Sequence, residues 1–315
     1  MSRYAIEVDD LVKVYPGRGR EPIRALDGLS FAVPPGTIFG LLGPNGAGKT
    51  TTLRILTTLA RPTAGRAEVA GFDVVANPLE ARRHLAAVIQ ESAADLLLTV
   101  RDNLFTYGRF HGLEAADIGM RADQALRQFG LTEEAGRKVM DLSGGYRRRV
   151  QVAKAFMVDT PVLFLDEFST GMDPILRREV MAALRGQARR GRTIVLTTHI
   201  LSEAEELCDD ILIVNRGRQV ARGDLHALKL LSDGVYEVSM TLDRIPGGLE
   251  AELRARRPRR LRVNGGTVEV SLKEDEASVL ALLADISRRA QMLRVEIHGA
   301  DLEDVFVELT KEKQS

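Results

Sequence analysis

The sequence predicts an α/β protein in which helices cover both faces of a parallel sheet, followed by a smaller α/β domain. The main observation is that short apolar segments without alternation are separated by amphipathic segments, as in the strand predicted over 162–165 and the helix predicted over 174–190. Uninterrupted apolar strands are typical of parallel sheets that are buried on both faces. Apolar and polar residues alternate before residue 38 and after about residue 232, which predicts a β-rich opening and a change of domain.

The opening segment contains two alternating stretches, residues 4–9 and 29–33, and each predicts a strand. Pro34-Pro35-Gly36 then predicts a turn ahead of an apolar strand over 38–42. Between about 92 and 155 helical periodicity replaces the strand pattern, so we expect a helical insertion there.

The later part of the chain continues the alternation of strands and helices and then changes character. Strands are predicted over 193–198 and 211–214, and Asn264-Gly265-Gly266 predicts a hairpin turn further along. A long helix is predicted over 274–289. The predicted domains are therefore 1–232, with the helical insertion at about 92–155, and a carboxyl-terminal α/β domain over 233–315.

Composition narrows the possible functions of the 315-residue chain. Lysine plus arginine (44) equals aspartate plus glutamate (44), so no overall positive field attracts nucleic acid, and no nucleic-acid partner is expected. The single cysteine excludes an intramolecular disulfide, and the first ten residues lack the apolar stretch of a signal peptide, so a reducing cytoplasm is expected. No apolar run approaches the ~20 residues of a membrane-spanning helix, so the chain is not expected to form a pore.

A glycine-rich loop carries the first chemical signal. Residues 43–50 match the pattern G-x-x-x-x-G-K-T between an apolar strand and a helical pattern, which is the context that a nucleotide phosphate-binding loop requires. Its backbone N–H groups and the start of the following helix would hold the phosphates. Lys49 is expected to pair with the β- and γ-phosphates, and the Thr50 hydroxyl to ligate Mg²⁺.

Two carboxylates follow a buried strand further along the chain. The segment 162–167 consists of four apolar residues followed by Asp166 and Glu167. Alone, this pattern is commonly a solvated strand end. Beside a phosphate-binding loop it indicates phosphoryl transfer to water, with Asp166 as a Mg²⁺ ligand and Glu167 as the general base.

A third motif carries a family resemblance. Leu142-Ser-Gly-Gly-Tyr146 opens a predicted helix and resembles the signature motif of ABC ATPases, whose motif order the sequence follows from residue 4 to about 230. The resemblance implies a P-loop ABC ATPase core with an antiparallel β-subdomain and a helical subdomain. It also implies that Ser143, Gly144 and Gly145 contact the γ-phosphate held by a second subunit, so that the chain works as a homodimer. Tyr146 stands where the family usually has glutamine or a related residue.

The same resemblance assigns further positions. Tyr15 resembles the aromatic residue that stacks on adenine, an ordinary strand-end aromatic being the alternative. Gln90 resembles the glutamine that contacts Mg²⁺ and the attacking water, Asp173 resembles the D-loop aspartate, and His199 resembles the switch histidine. Phe168 and Met172 replace the proline and leucine that are common near Asp173.

The site expected from the sequence comprises three overlapping groups. The residues expected to bind ATP are Tyr15, Gly43, Pro44, Asn45, Gly46, Ala47, Gly48, Lys49, Thr50, Thr51, Ser143, Gly144, Gly145 and Asp173. The residues expected in catalysis are Glu167, His199 and Gln90, and the expected Mg²⁺ ligands are Thr50, Gln90 and Asp166.

The end of the chain indicates a subclass. Residues 301–310, and the arginine run 147–149, are similar to drug-resistance ATPases of the daunorubicin-exporter type, and sodium, polysaccharide and gliding ATPases share parts of the pattern. An ordinary amphipathic helix is the alternative for this tail. The resemblance implies an ATP-hydrolysing subunit of an ABC-2 type exporter of drug, lipid or polysaccharide-like cargo, bound to a separate integral membrane permease at the cytoplasmic face of the cell membrane.

A different class of function stays open, a soluble ABC-type ATPase that acts on ribosomes or nucleic acid. Three features disfavour it: a single ATP-binding unit, the lack of a long coiled-coil pattern, and a net charge of zero.

Overall fold

The computed structural model describes residues 3–17, 21–89, 94–231, 235–274, 276–299 and 302–311. Its contacts divide the chain into two compact units, Met1–Arg222 and Gly223–Ser315. Each unit is built around a hydrophobic core of its own. Whereas the sequence pattern suggests a boundary at residue 232, the contacts place the helix over Leu225–Leu231 in the second unit, where it packs on the helix over Leu302–Lys311.

The first unit contains ten strands and seven α-helices within its described residues. In chain order they are β1 (Ile6–Tyr15), β2 (Ile23–Val33), β3 (Ile38–Leu42), α1 (Lys49–Leu56), β4 (Ala64–Val69), β5 (Phe72–Asp73), α2 (Pro78–Arg83), β6 (Leu85–Val88), α3 (Val100–Phe110), α4 (Ala115–Gln128), α5 (Gly144–Phe156), β7 (Val162–Asp166), α6 (Pro174–Ala188), β8 (Thr193–Thr197), α7 (Leu201–Leu207), β9 (Asp210–Asn215) and β10 (Arg218–Gly223). A short 3₁₀ helix, Val139–Asp141, precedes α5.

A six-stranded sheet with the order β10-β9-β3-β8-β7-β6 forms the centre of this unit. β3 pairs in parallel with β8 and β9, and β7 pairs in parallel with β6 and β8. Every residue of β3, β7 and β8 is buried, as expected for parallel strands covered on both faces. The α/β prediction is therefore confirmed, and the carboxyl ends of β3, β8 and β7 meet at one edge of the sheet, where α/β proteins bind their ligands.

A second sheet carries the antiparallel part of the first unit. Its order is β2-β1-β4-β5, and all its pairs are antiparallel. The alternating pattern of the opening segment is thus confirmed as antiparallel strand. The apolar residues of this sheet share one core with those of the parallel sheet, so the β-rich opening packs against the strand that leads into the phosphate-binding loop.

Three helices, α3, α4 and α5, form the helical part between β6 and β7. Thr99 caps α3 by accepting a hydrogen bond from the Asp102 amide at 3.0 Å. The buried Asn103 side chain donates to the carbonyl oxygens of Asp95 (2.9 Å) and Thr99 (3.0 Å) and accepts from the Asp95 amide (2.7 Å). These bonds tie the segment that precedes α3 to the helix itself.

The second unit is a small α/β domain. Its elements are α8 (Leu225–Leu231), β11 (Val235–Leu242), α9 (Leu249–Ala255), β12 (Arg260–Asn264), β13 (Thr267–Lys273), α10 (Glu276–Arg289), β14 (Met292–Gly299) and α11 (Leu302–Lys311). The strands form an antiparallel sheet with the order β12-β13-β11-β14. One face of this sheet packs on α9 and α10 through buried aliphatic side chains. Within the described residues of both units, no helix has the length and apolarity needed to cross a membrane.

Candidate functional site

The phosphate-binding loop connects β3 to α1, and Lys49 is the first residue of the helix. The Lys49 side chain is buried, and its Nζ donates to the carbonyl oxygens of Gly43 at 2.7 Å and Pro44 at 3.2 Å. Burial lowers the pKa of Lys49, while the nearby carboxylates of Glu167 and Asp166 act in the opposite direction. The Lys49 ammonium group is thus held beneath the loop, close to the carboxylates of Asp166 and Glu167.

Glycine is required in this loop because the backbone approaches neighbouring strands closely. A Cβ on Gly43 would lie 2.3 Å from the Val214 carbonyl oxygen, and one on Gly48 would lie 2.6 Å from the Ala25 carbonyl oxygen. Gly48 also has a φ of 109°, which favours glycine. The loop backbone therefore packs closely against these strands and leads directly into the start of α1, where the helix dipole favours an anion.

Asp166 ends β7 and is 2% exposed. Its Oδ1 accepts a hydrogen bond from the Thr197 hydroxyl, whereas its Oδ2 is buried without a hydrogen-bond partner among the described residues. A buried carboxylate oxygen without a partner is costly unless a ligand completes its contacts. Because carboxylate and hydroxyl oxygens are the ligands that Mg²⁺ prefers, the Asp166 carboxylate fits a divalent cation.

Glu167 follows directly and has a left-handed backbone, with a φ of 50°. Such a conformation is uncommon outside glycine and is often found at functional sites. The Glu167 amide donates to the Thr197 carbonyl at 3.0 Å, which holds this residue against β8. His199, two residues beyond the end of β8, lies with its Nδ1 3.3 Å from Glu167 Oε1. The structure therefore brings together the phosphate loop, Asp166, Glu167 and His199.

The signature segment forms the start of α5. Ser143 is the N-cap residue, and its Oγ accepts from the Tyr146 amide at 3.5 Å. A Cβ on Gly145 would lie 2.5 Å from the Gly171 carbonyl oxygen, whereas a Cβ on Gly144 would have no heavy atom of the described residues within 4 Å, its own helix backbone and chain neighbours aside. The start of α5, Glu167 and the segment 170–171 border a cavity of about 370 Å³.

Asp173 is the N-cap residue of α6 and also contacts the signature helix. Its Oδ1 accepts from the amides of Ile175 (3.1 Å) and Leu176 (3.0 Å), and its Oδ2 lies 2.6 Å from an Arg149 guanidinium nitrogen. The pKa of Asp173 is lowered most by the hydrogen bond from the Leu176 amide, and to a smaller extent by the charge of Arg149. The Arg149 guanidinium in turn lies over the Tyr146 ring, 4.6 Å from its centroid. The tyrosine that departs from the family pattern thus packs on the arginine that holds Asp173.

Arg148 is a candidate site residue that sequence reasoning missed. It is 8% exposed and reaches from α5 to the backbone on both sides of Glu167. Its Nη2 donates to the Asp166 carbonyl, its Nε donates to the Phe168 carbonyl at 3.3 Å, and its Nη1 donates to Gln151 Oε1 at 2.7 Å. Burial lowers the pKa of Arg148, and the charges of Asp166 and Glu167 oppose this shift. The arginine run in the sequence was the available signal, but nothing in it distinguishes Arg148 from its neighbours.

The remaining predicted site residues have different surroundings. Tyr15 ends β1, and Lys13 Nζ lies 4.9 Å from the centroid of its ring. Thr50 and Thr51 lie, partly buried, in the first turn of α1. Gln90 lies outside the described residues, so its predicted role stays a prediction.

The parallel sheet, the phosphate loop at the end of β3 and the carboxylates at the end of β7 together define a P-loop ATPase. Residues 26–170 match the family model described as ABC transporter. The chain is 38% identical to the daunorubicin resistance ATP-binding protein DrrA2 of Streptomyces coeruleorubidus, over 98% of this chain and 96% of that protein. It is also 38% identical to the Nod factor export ATP-binding protein I of Ralstonia nicotianae, over 94% of this chain and 96% of that protein.

Solved structures agree with these sequence matches. An ATP-binding subunit of an ABC transporter superposes with a TM-score of 0.67 at 29% identity, covering 72% of this chain and 92% of the other. A dimeric ATP-binding cassette in a post-hydrolysis state, bound to ADP and Pi, superposes with a TM-score of 0.65 at 25% identity, covering 70% of this chain and 98% of the other. The chain belongs to the family of ABC transporter ATP-binding proteins, which are ATP hydrolases, and the predicted resemblance is confirmed.

Proposed function

We propose that the chain is the ATP-hydrolysing subunit of an ABC-2 type exporter, attached to a separate integral membrane permease at the cytoplasmic face of the cell membrane. The similarity to daunorubicin resistance and Nod factor export proteins supports this proposal, because it extends over nearly the whole chain and includes the second unit. The cargo class is a drug, a lipid or a polysaccharide-like molecule.

The observation that carries the catalytic part of the proposal is the placement of Lys49, Asp166, Glu167 and His199 at one edge of the parallel sheet. In this proposal the loop from Gly43 to Thr51 binds the triphosphate of ATP through its amides, and Lys49 exchanges its carbonyl partners for the β- and γ-phosphate oxygens. Tyr15 stacks on the adenine ring.

The proposed Mg²⁺ site consists of Thr50, Gln90 and Asp166. The buried Oδ2 of Asp166, which has no hydrogen-bond partner within the described part of the chain, supports it. When bound there, Mg²⁺ supplies positive charge that offsets the negative charge developing on the phosphate oxygens.

Glu167 is the proposed general base. Its carboxylate takes the proton of the attacking water, and His199, 3.3 Å away, holds the carboxylate in position and contacts the γ-phosphate. The backbone on either side of Glu167 is held by Arg148, and the Glu167 amide is held by β8. Fixing the base in this way removes the need to orient it during the reaction.

A second copy of the chain completes each site in the proposal. Gly144 and Gly145 open α5 directly after the N-cap residue Ser143, and their amides have no acceptor within the helix, so they can donate to a phosphate oxygen. Open space beside Gly144 supports the approach of a ligand at this position. Asp173 then lies in the contact between the two copies and helps to arrange the opposite site.

The experiment that tests the exporter proposal is purification of the tagged chain from membranes of its source. We expect one integral membrane protein to be retained with the chain, and the ATPase rate of the complex to exceed that of the chain alone. Association with ribosomes, together with an ATPase rate stimulated by RNA, would instead support the alternative of a soluble ATPase.

Substitution of Arg148 tests whether this side chain positions Glu167 for catalysis or contributes to the binding of ATP. We expect Arg148→Gln to lower kcat for ATP hydrolysis by about tenfold or more with little change in KM, since the Asp166 and Phe168 carbonyls lose donors worth ~1–3 kcal/mol each. Steady-state kinetics measure both parameters, and Arg148→Lys should restore part of kcat. The control is Arg178→Gln, which removes an exposed arginine of α6. An Arg148→Gln protein that is folded and retains normal kcat would contradict the positioning role.

A further inference from the structure

The strand β14 lies at the edge of the sheet in the second unit. In the sheet order β12-β13-β11-β14 it pairs with β11, and its other side ends the sheet among the described strands. An edge strand exposes backbone N–H and C=O groups that can pair with another chain. β14 also exposes apolar side chains, since Leu293, Val295 and Ile297 are 62%, 37% and 39% exposed.

The two faces of β14 have different chemistry. Val295 and Ile297 lie opposite buried core residues of β11, so they belong to the core face of the sheet but project at its margin. Arg294 and Glu296 alternate with them and lie on the other face, where their side chains form an ion pair at 2.5 Å. The edge therefore carries an apolar row on one face and two opposite charges on the other.

We propose that β14 pairs with β14 of a second copy, antiparallel, about a twofold axis that passes through Val295. In this register Arg294 lies opposite Glu296 of the second copy, and the symmetry repeats the pair on the other side of the axis. Val295 meets its own equivalent, and Leu293, at the bulge of the strand, lies opposite Ile297. Both faces are thus complementary to themselves, which is the requirement for a twofold contact. Two four-stranded sheets become one continuous sheet.

The other edge strand of the same sheet, β12, lacks the charge pattern that favours pairing with a second copy. β12 carries Arg260 and Arg262, both exposed. Antiparallel pairing of β12 about Arg262 would place this arginine opposite its own equivalent, and like charges directly opposite destabilise a strand pair. Arginines of this kind protect an edge from self-association. The charge pattern therefore favours pairing at one edge and opposes it at the other.

The pairing through β14 requires no nucleotide, so it is distinct from the ATP-dependent contact of the proposed function. Sedimentation equilibrium of the full chain without nucleotide is the test. We expect a dimer for the natural chain. Arg294→Glu and Glu296→Arg each place like charges opposite one another at both symmetric pairs, so each should raise Kd by about tenfold. The double variant restores opposite charges and should return Kd to within about threefold of the natural value.

Two controls accompany these variants. Arg262→Glu changes an exposed arginine of the β12 edge and should leave Kd unchanged. Thermal unfolding of all variants measures the loss of stability that follows when the ion pair within the chain is broken. Sedimentation equilibrium measures the change in Kd that follows when the contact between chains is lost.

A disulfide probe tests the register independently. Opposite residues of antiparallel strands have Cα atoms ~4.5–5.5 Å apart, which is within the range of a disulfide, so oxidised Val295→Cys should form a covalent dimer. The natural chain should not, because its single cysteine, Cys208, is buried. A monomeric chain without nucleotide, a Val295→Cys chain that does not cross-link, or a double variant as weak as the single ones would each overturn the proposal. None of these outcomes depends on whether ATP brings the catalytic units together.

Discussion

Replacing Glu167 with glutamine is expected to lower steady-state ATP hydrolysis by about 10²- to 10⁴-fold, which is the range that a positioned general base contributes. Glutamine has nearly the same size and can still accept a hydrogen bond from His199, but it cannot take a proton from water at neutral pH. ATP binding should be unchanged, because the phosphate loop and Lys49 are unaffected. The hydrolysis rate is measured by phosphate release at saturating ATP.

The same variant is expected to accumulate as an ATP-bound dimer, because the step that would separate the two copies is blocked. Size-exclusion chromatography with and without ATP measures this dimer. The matched control is Glu179→Gln, an exposed glutamate of α6, which should hydrolyse ATP at the natural rate. Normal steady-state hydrolysis by Glu167→Gln would show that another group activates the water.

Replacing Lys49 with alanine is expected to weaken ATP binding by about 100-fold or more. The ammonium group is held under the phosphate loop by the Gly43 and Pro44 carbonyl oxygens, at 2.7 and 3.2 Å, so it is positioned before the nucleotide arrives. Each hydrogen bond to a charged group contributes ~1.5–3 kcal/mol, and ~1.4 kcal/mol corresponds to tenfold in affinity. Calorimetric titration with ATP measures the change.

The control for this variant is Lys138→Ala, which removes an exposed lysine outside the loop. Circular dichroism of Lys49→Ala should show a folded protein, because the lost contacts are two carbonyl partners of a single side chain. Unchanged nucleotide affinity in a folded Lys49→Ala chain would contradict the assignment of residues 43–50 as the triphosphate site.

Much of the candidate site was predictable because its strongest motifs are contiguous. The phosphate loop needs a strand, a glycine-rich turn and a helix in immediate succession, and these are β3, residues 43–48 and α1. Asp166 and Glu167 likewise follow a short run of consecutive apolar residues, which is typical of a strand buried on both faces. The structure places both motifs at one sheet edge because β3 and β7 each pair with β8.

Other features depend on contacts between residues far apart in the chain. The hydrogen bonds of Arg148 to the Asp166 and Phe168 carbonyls join residues 18 and 20 positions apart. The arginine run predicts three similar cations. The helical geometry of α5 directs one of them, Arg148, toward the backbone on either side of Glu167. The contact of Tyr146 with Arg149 is local by comparison, because residues at i and i+3 are neighbours on the surface of α5.

The sequence by itself determined the α/β class, the phosphate loop, the strand-end carboxylates and the family, because each of these is specified by local periodicity or by neighbouring residues. The tertiary structure decided which side chains meet. The strand order places His199 beside Glu167, α5 directs Arg148 to the backbone around Glu167, and the pairing of β11 with β13 and β14 leaves β14 at an edge of its sheet. These are non-local contacts, and their geometry is set by the order in which strands pair rather than by the residues adjacent to them.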